Sequence, residues 1–205
     1  MSDKTPSSLI INSPYEKPAR YWDQDENGKL LTVTQGRRPA AYELYDTRTN
    51  TRRIEKLELV NAIRERVDAW RDAGWPGVTS VTRQLLEHWF DRGEWDGEGK
   101  CWIGGPRQYP FYFCQLEAIE SLIWWLEAPQ DHKQGIFLQG DGGPWERICS
   151  KMATGSGKTP LDGVDYHLAN LECAALPQRY AFFQGGVHRG AGADGKKPFA
   201  GVVSR

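Results

Sequence analysis

Lys151–Met152–Ala153–Thr154–Gly155–Ser156–Gly157–Lys158–Thr159 is the stretch whose residue types and spacing could do chemistry. Backbone N–H groups of a glycine loop can turn inward onto phosphate oxygens, and a helix starting at about Gly157 would add its positive N-terminal dipole there. Lys158 would bring a compact positive charge to the β and γ phosphates of a triphosphate, and Thr159 a hydroxyl to Mg2+. The strict motif requires a glycine five residues before Gly157, where Met152 stands, but the shorter Ala-Thr-Gly-x-Gly-Lys-Thr form is intact. Thr154, Gly155, Ser156, Gly157, Lys158 and Thr159 are therefore the candidate phosphate-binding residues, with Thr159 the candidate Mg2+ ligand. The bland alternative is a glycine-rich turn that happens to end in Lys-Thr.

The composition bounds what could surround this loop. With 205 residues, 39% hydrophobic and 26% charged, the chain suits one ordinary globular domain or part of something larger. A net charge of −1 supplies no global field toward nucleic acid, so any such contact must come from local patches. Nine tryptophans point to core, interface or stacking surfaces. Cys101, Cys114, Cys149 and Cys173 show no C-x-x-C pair and no matching histidine spacing, which argues against zinc, and the lack of a signal peptide argues against a disulfide framework. The polar start after Met1 and the lack of a run of about 18 apolar residues predict a cytoplasmic protein that spans no membrane.

Elements that could position the loop follow from periodicity. Residues 1–55 read as an irregular arm with a possible hairpin turning at Asn27–Gly28 into a short strand, Leu30–Thr34. Its arginines (Arg20, Arg37, Arg38, Arg48, Arg52, Arg53), interleaved with Tyr21, Trp22, Tyr42 and Tyr45, would suit a grip on a phosphate backbone. The interleaved carboxylates offer the plainer reading, paired arginines on a wrapping arm. Residues 56–110 read as a helical pair and a loop. Leu59, Ile63, Val67 and Trp70 give the stripe of a helix from Glu58 to Ala73, stopped at Gly74. Thr79 or Ser80 caps a second helix, to Phe90, joined to the first by Trp75–Pro76–Gly77. Asp91 to Pro110 reads as an exposed Gly-rich loop. Leu116 to Leu126 predicts a third helix with Leu116, Ile119, Ile123 and Leu126 as its stripe, and Glu146 to Met152 a weak strand feeding the loop.

Phe113–Cys114–Gln115–Leu116–Glu117–Ala118–Ile119, followed by the Gly-Lys-Thr loop, resembles the N-terminal part of the type III restriction enzyme Res subunit. That family belongs to the DEAD/DEAH-like superfamily 2 helicases and translocases. Ile11–Asn12–Ser13–Pro14–Tyr15–Glu16 and the segment from Gly77–Val78–Thr79 to Trp89 also look like its larger restriction-endonuclease members, so the resemblance covers about residues 9–159. It implies an α/β fold, a mainly helical N-terminal region leading into an incomplete RecA-like P-loop domain. Residues 111–159 would hold the adenine-reading helix and the P-loop. The implied cofactors are ATP and Mg2+, and the implied partners DNA and a modification methyltransferase subunit. Gln115 matches the glutamine that reads adenine in such motors, with Phe113 or Tyr112 packed beside the ring; an amide both donates and accepts, as that base edge requires.

Beyond Thr159 the sequence departs from the family. Leu161, Val164, Leu168 and Leu171 keep a helical stripe and Tyr180–Phe183 suggests a strand, but Gln184 to Arg205 is Gly-rich and aperiodic. The only Asp-Glu pair, Asp25–Glu26, lies upstream in a turn, so no Mg2+-organising Asp or catalytic Glu can be assigned. Residues 160–205 read as a divergent tail, either foreign to the family through a disrupted gene or native to a deliberately small protein. The expectation is a fragment of an ATP-dependent DNA translocase that binds ATP with negligible turnover. A non-catalytic nucleotide- or partner-binding module and a DNA-binding arm centred on Arg37 and Arg38 are the alternatives.

Overall fold

The computed structural model describes residues 9–25, 28–49, 51–138, 150–153, 155–159 and 202–204. Among these residues the architecture is mixed α/β, three helices with small two-stranded sheets. β1 (Arg20–Gln24) pairs antiparallel with β2 (Leu30–Gln35), with an irregularity between Trp22 and Gln24. This is the hairpin that the Asn-Gly turn predicts. A second hairpin, β3 (Ala41–Asp46) with β4 (Thr51–Lys56), falls in the supposedly irregular arm. Neither strand has a buried residue and β4 is charged at four of its six positions, so no alternation of apolar and polar residues announces them.

α1 (Glu58–Asp72) and α2 (Ser80–Phe90) form as their stripes require. The Thr79 hydroxyl caps α2 by accepting from the Thr82 N–H at 3.1 Å. Gly74 leaves α1 at φ +76°, and Trp75 follows at φ 54°, a left-handed conformation costly for an aromatic residue. Trp75 is held there by its backbone N–H on the Trp70 carbonyl and by Arg83, which donates to its carbonyl at 3.1 Å. Asp91–Pro110 is not one loop: β5 (Gly93–Asp96) and β6 (Cys101–Gly104) make a third hairpin there, with Trp95 opposite Trp102. Trp95 is exposed, as expected, while Trp102 is half-buried against Trp95 and Tyr15.

α3 (Phe113–Glu127) begins three residues before its predicted start and is the axis of the core. A single stripe was expected, yet Leu126 is exposed and eleven of the fifteen residues are buried. Such a helix must be enclosed rather than laid on a surface. Ile63, Val67 and Trp70 of α1, Leu86 and Trp89 of α2, and Met152 pack with it into one apolar cluster. A single 3-10 turn, Gln130–Lys133, follows. β7 (Ser150–Met152) is the short strand ahead of the glycine loop, and it pairs in parallel with β8 (Val202–Ser204). That last strand lies in the stretch read as aperiodic. The helical stripe over Leu161–Leu171, the strand at Tyr180–Phe183, Cys149 and Cys173 lie outside the described residues. Among the described residues, no helix is long and apolar enough to cross a membrane.

Candidate phosphate-loop site

The loop leaves β7 through Ala153 and turns at Gly155 and Gly157, both left-handed, with φ +80° and +78°. Lys158 and Thr159 then open a helical turn, both side chains exposed. Thr154 lies outside the described residues. The Lys158 ammonium donates to the Ala153 carbonyl at 2.8 Å, as does the Ser156 hydroxyl at 2.6 Å, so the lysine folds back across the loop. An exposed lysine held by one neutral carbonyl can exchange that acceptor for a phosphate oxygen at little cost. One ammonium, glycine amides and the hydroxyl of the exposed Thr159 could donate to phosphate oxygens, with no carboxylate in the described loop residues to repel them.

Gln115 reaches this loop from α3. Its Nε2 donates to the Gly157 carbonyl at 3.0 Å and its Oε1 accepts the Tyr112 N–H at 2.8 Å. The second bond is half of a capping box: Tyr112 has no short polar side chain, so the glutamine three residues on satisfies the cap N–H. The arm completes this helix start, since the Phe113 N–H donates to the Pro14 carbonyl at 2.9 Å. Gln115 is thus buried with both ends of its amide engaged within the chain. The structure sets it against the loop, and an adenine would have to displace or share these bonds. Phe113 is not available for stacking. It is buried with the Arg37 and Arg71 guanidiniums over its ring at 5.5 and 5.6 Å, a packing that spends its π-faces. Tyr112 remains partly exposed, its ring against Tyr15.

The close approach fixes a requirement at Gly157. A Cβ there would fall inside the contact distance of Gln115 Nε2, whereas a Cβ on Gly155 meets nothing within 4 Å. Gly155→Ala should therefore cost about 1 kcal/mol for its left-handed backbone, and Gly157→Ala about 2–3 kcal/mol, because strain and collision combine. Urea denaturation of the two variants would check this; equal losses would mean that Gln115 does not hold the loop.

The residues that sequence reasoning missed are the carboxylates of α3. Glu117, Glu120 and Glu127 are buried, the first two almost completely. Glu117 takes Arg37 in a two-pronged ion pair, with the Arg64 Nε 3.9 Å away. Glu120 takes Arg71 in the same manner and accepts the Trp75 indole N–H at 2.8 Å. Glu127 accepts the Thr82 hydroxyl at 2.8 Å and the Thr79 N–H at 2.9 Å. Burial pushes the Glu120 carboxyl up, against the pull of Arg71. Burial first, and the like charge of Arg37 next, push Arg64 down. At 3.6 residues per turn the three glutamates fall within about 80° of arc. That signal was present, but it reads equally as a solvated face. Arg38 pairs with Glu43 at 3.2 Å and Arg52 with the same carboxylate at 2.8 Å, so these two arginines of the arm have carboxylate partners within the chain.

Burial also raises the Cys114 thiol, which makes it a poor nucleophile. Among the described residues no group of three or more His, Cys, Asp or Glu is placed to hold a metal. Comparison with family models, with curated proteins and with solved structures returned no match.

Proposed function

We propose that this chain contributes the nucleotide-binding part of an ATP-dependent DNA translocase of the restriction type, with β7, the glycine loop and α3 belonging to a RecA-like P-loop domain. The observation that carries the reading is the Gln115–Gly157 hydrogen bond, which joins the two sequence motifs 42 residues apart. Parallel pairing of β7, the strand that feeds the loop, supports it as well. When bound, Mg2+ would neutralise phosphate charge. The chain's own parts would be the amides of Gly155 and Gly157, the Lys158 ammonium on the β and γ oxygens, and the Thr159 hydroxyl turned to the metal. Gln115 would fix the loop relative to α3 and face the base edge. DNA and a modification methyltransferase belong to this reading as partners.

Isothermal titration of the 205-residue chain with Mg–ATP tests it. Binding should be measurable, Lys158→Ala should weaken it at least about tenfold, and thermal unfolding of that variant should be unchanged because its side chain is exposed and its hydrogen bond among the described residues is to the Ala153 carbonyl. Turnover should be negligible, since hydrolysis needs a positioned carboxylate and an arginine from a second motor domain. A folded chain that ignores Mg–ATP, or binds it equally well without Lys158, would remove the reading. Binding without turnover that is indifferent to DNA would favour a non-catalytic nucleotide-binding module.

A further inference from the structure

A pocket of about 440 Å³ lies where the segment from Leu9 to Asn12, β1 and the turn from Arg37 to Ala41 meet α1. Arg20, Arg37, Arg38 and Arg64 line it, and Glu43 is the one carboxylate among its described lining residues. Glu43 is already divided between Arg38 and Arg52. Glu117, beneath the pocket, serves Arg37 and stands near Arg64, toward which Asp68 also contributes. Arg20 donates to a neutral acceptor, the Ile11 carbonyl, at 2.6 Å. Guanidiniums thus outnumber the carboxylates that face them, in a concavity whose walls focus their field. Concentrating like charge where water is partly excluded is unfavourable, and a bound anion would offset it.

The remaining walls are apolar. Leu9, Ile10, Trp22 and Pro39 contribute them, with Leu9 fixed by the Trp22 indole donating to its carbonyl at 3.0 Å. The volume lies in the range of about 300–1,000 Å³ common for small-molecule sites. We propose that this pocket binds a small phosphate-bearing molecule with an apolar or aromatic body, at a site separate from the glycine loop. Planar guanidinium forks match phosphate oxygens two at a time, and a phosphate monoester near neutral pH brings close to the two negative charges that this surplus would take.

Phenyl phosphate serves as the probe, titrated calorimetrically into the full chain, with inorganic phosphate as the arm lacking an apolar body. Phenyl phosphate should bind at least about tenfold more tightly than inorganic phosphate, and both should weaken as salt is raised. Arg20→Gln combined with Arg38→Gln should weaken phenyl phosphate by about tenfold or more, while Lys158→Ala should leave it unchanged. Should the double variant fold poorly, Ile10→Glu adds a repelling carboxylate at an 81% exposed rim position and should weaken binding similarly. No binding at millimolar probe, loss of binding with Lys158→Ala, or indifference to both pocket variants would each overturn the assignment. So would equal affinity for the two anions, because it would leave the apolar walls without a part.

Discussion

Glu120→Ala is expected to lower the stability of the chain by about 3–5 kcal/mol, the range for breaking a buried ion pair from one side. The carboxylate is fully enclosed and serves two donors that have no equal substitute: the Arg71 guanidinium and the Trp75 indole. Asp68 would retain one bond to Arg71 at 2.9 Å, which keeps the loss toward the lower end. The indole N–H would lose its acceptor, and the left-handed backbone at Trp75 would lose a tether. Guanidinium denaturation followed by circular dichroism measures the loss. The double variant with Arg71→Ala should recover part of it, since the stranded cation is then gone. A single-variant loss below about 1 kcal/mol would show that the pair contributes no more than an exposed one.

Arg37→Ala should cost about 3 kcal/mol for the same reason, and this outcome separates two readings of the arm. If Arg37 grips nucleic acid, its removal weakens DNA binding and leaves the fold intact. The structure instead places its guanidinium in a two-pronged pair with Glu117, which is only 1% exposed, and over the Phe113 ring. Arg64, 3.9 Å from the same carboxylate, would take up some of the lost interaction. Arg38→Ala is the contrast. Its pair with Glu43 is about 40% exposed on both sides, and an exposed pair contributes roughly 0–1 kcal/mol. Thermal midpoints of the two variants, read beside DNA retention at two salt concentrations, decide the matter. A stable Arg37→Ala chain with weakened, salt-dependent DNA binding would restore the gripping role.

The elements that periodicity could reveal were legible. α1 and α2 declare themselves through stripes at helical spacing, a Thr79 cap and a stop at Gly74. β3 and β4 could not be read because Glu43, Arg52, Arg53, Glu55 and Lys56 give both faces charge. Their register is set by pairing with each other rather than by a buried face. The β5–β6 hairpin is only four residues a side, too short for a pattern, and its Gly93 and Gly104 read as loop. For the site, the spacing around Lys158 marked the glycine loop, while the bond from Gln115 to it was not legible from spacing. What one dimension hides is the occupancy of a side chain. Nothing in Tyr112–Phe113–Cys114–Gln115 says that the amide already holds a helix N–H and a loop carbonyl, or that two guanidiniums lie over the Phe113 ring. Residues outside the loop frame α3: Gly77 is pressed against Pro129, Thr79 meets Glu127, and Pro14 caps Phe113.

The enclosure of α3 also bears on the order in which the molecule can be assembled as it is synthesised. Among the described residues, these side-chain donors to its glutamates lie upstream: Arg37 for Glu117, Arg71 and Trp75 for Glu120, Thr82 for Glu127. A chain emerging from the ribosome therefore has these groups outside the exit tunnel before the helix that needs them appears. Its three carboxylates need not wait in an apolar setting for partners still to be translated, and local elements generally form in that N-to-C direction. A circular permutant in which α3 is made first would lose that sequence of events while keeping the same contacts. Its native state should be alike, but its yield during translation lower.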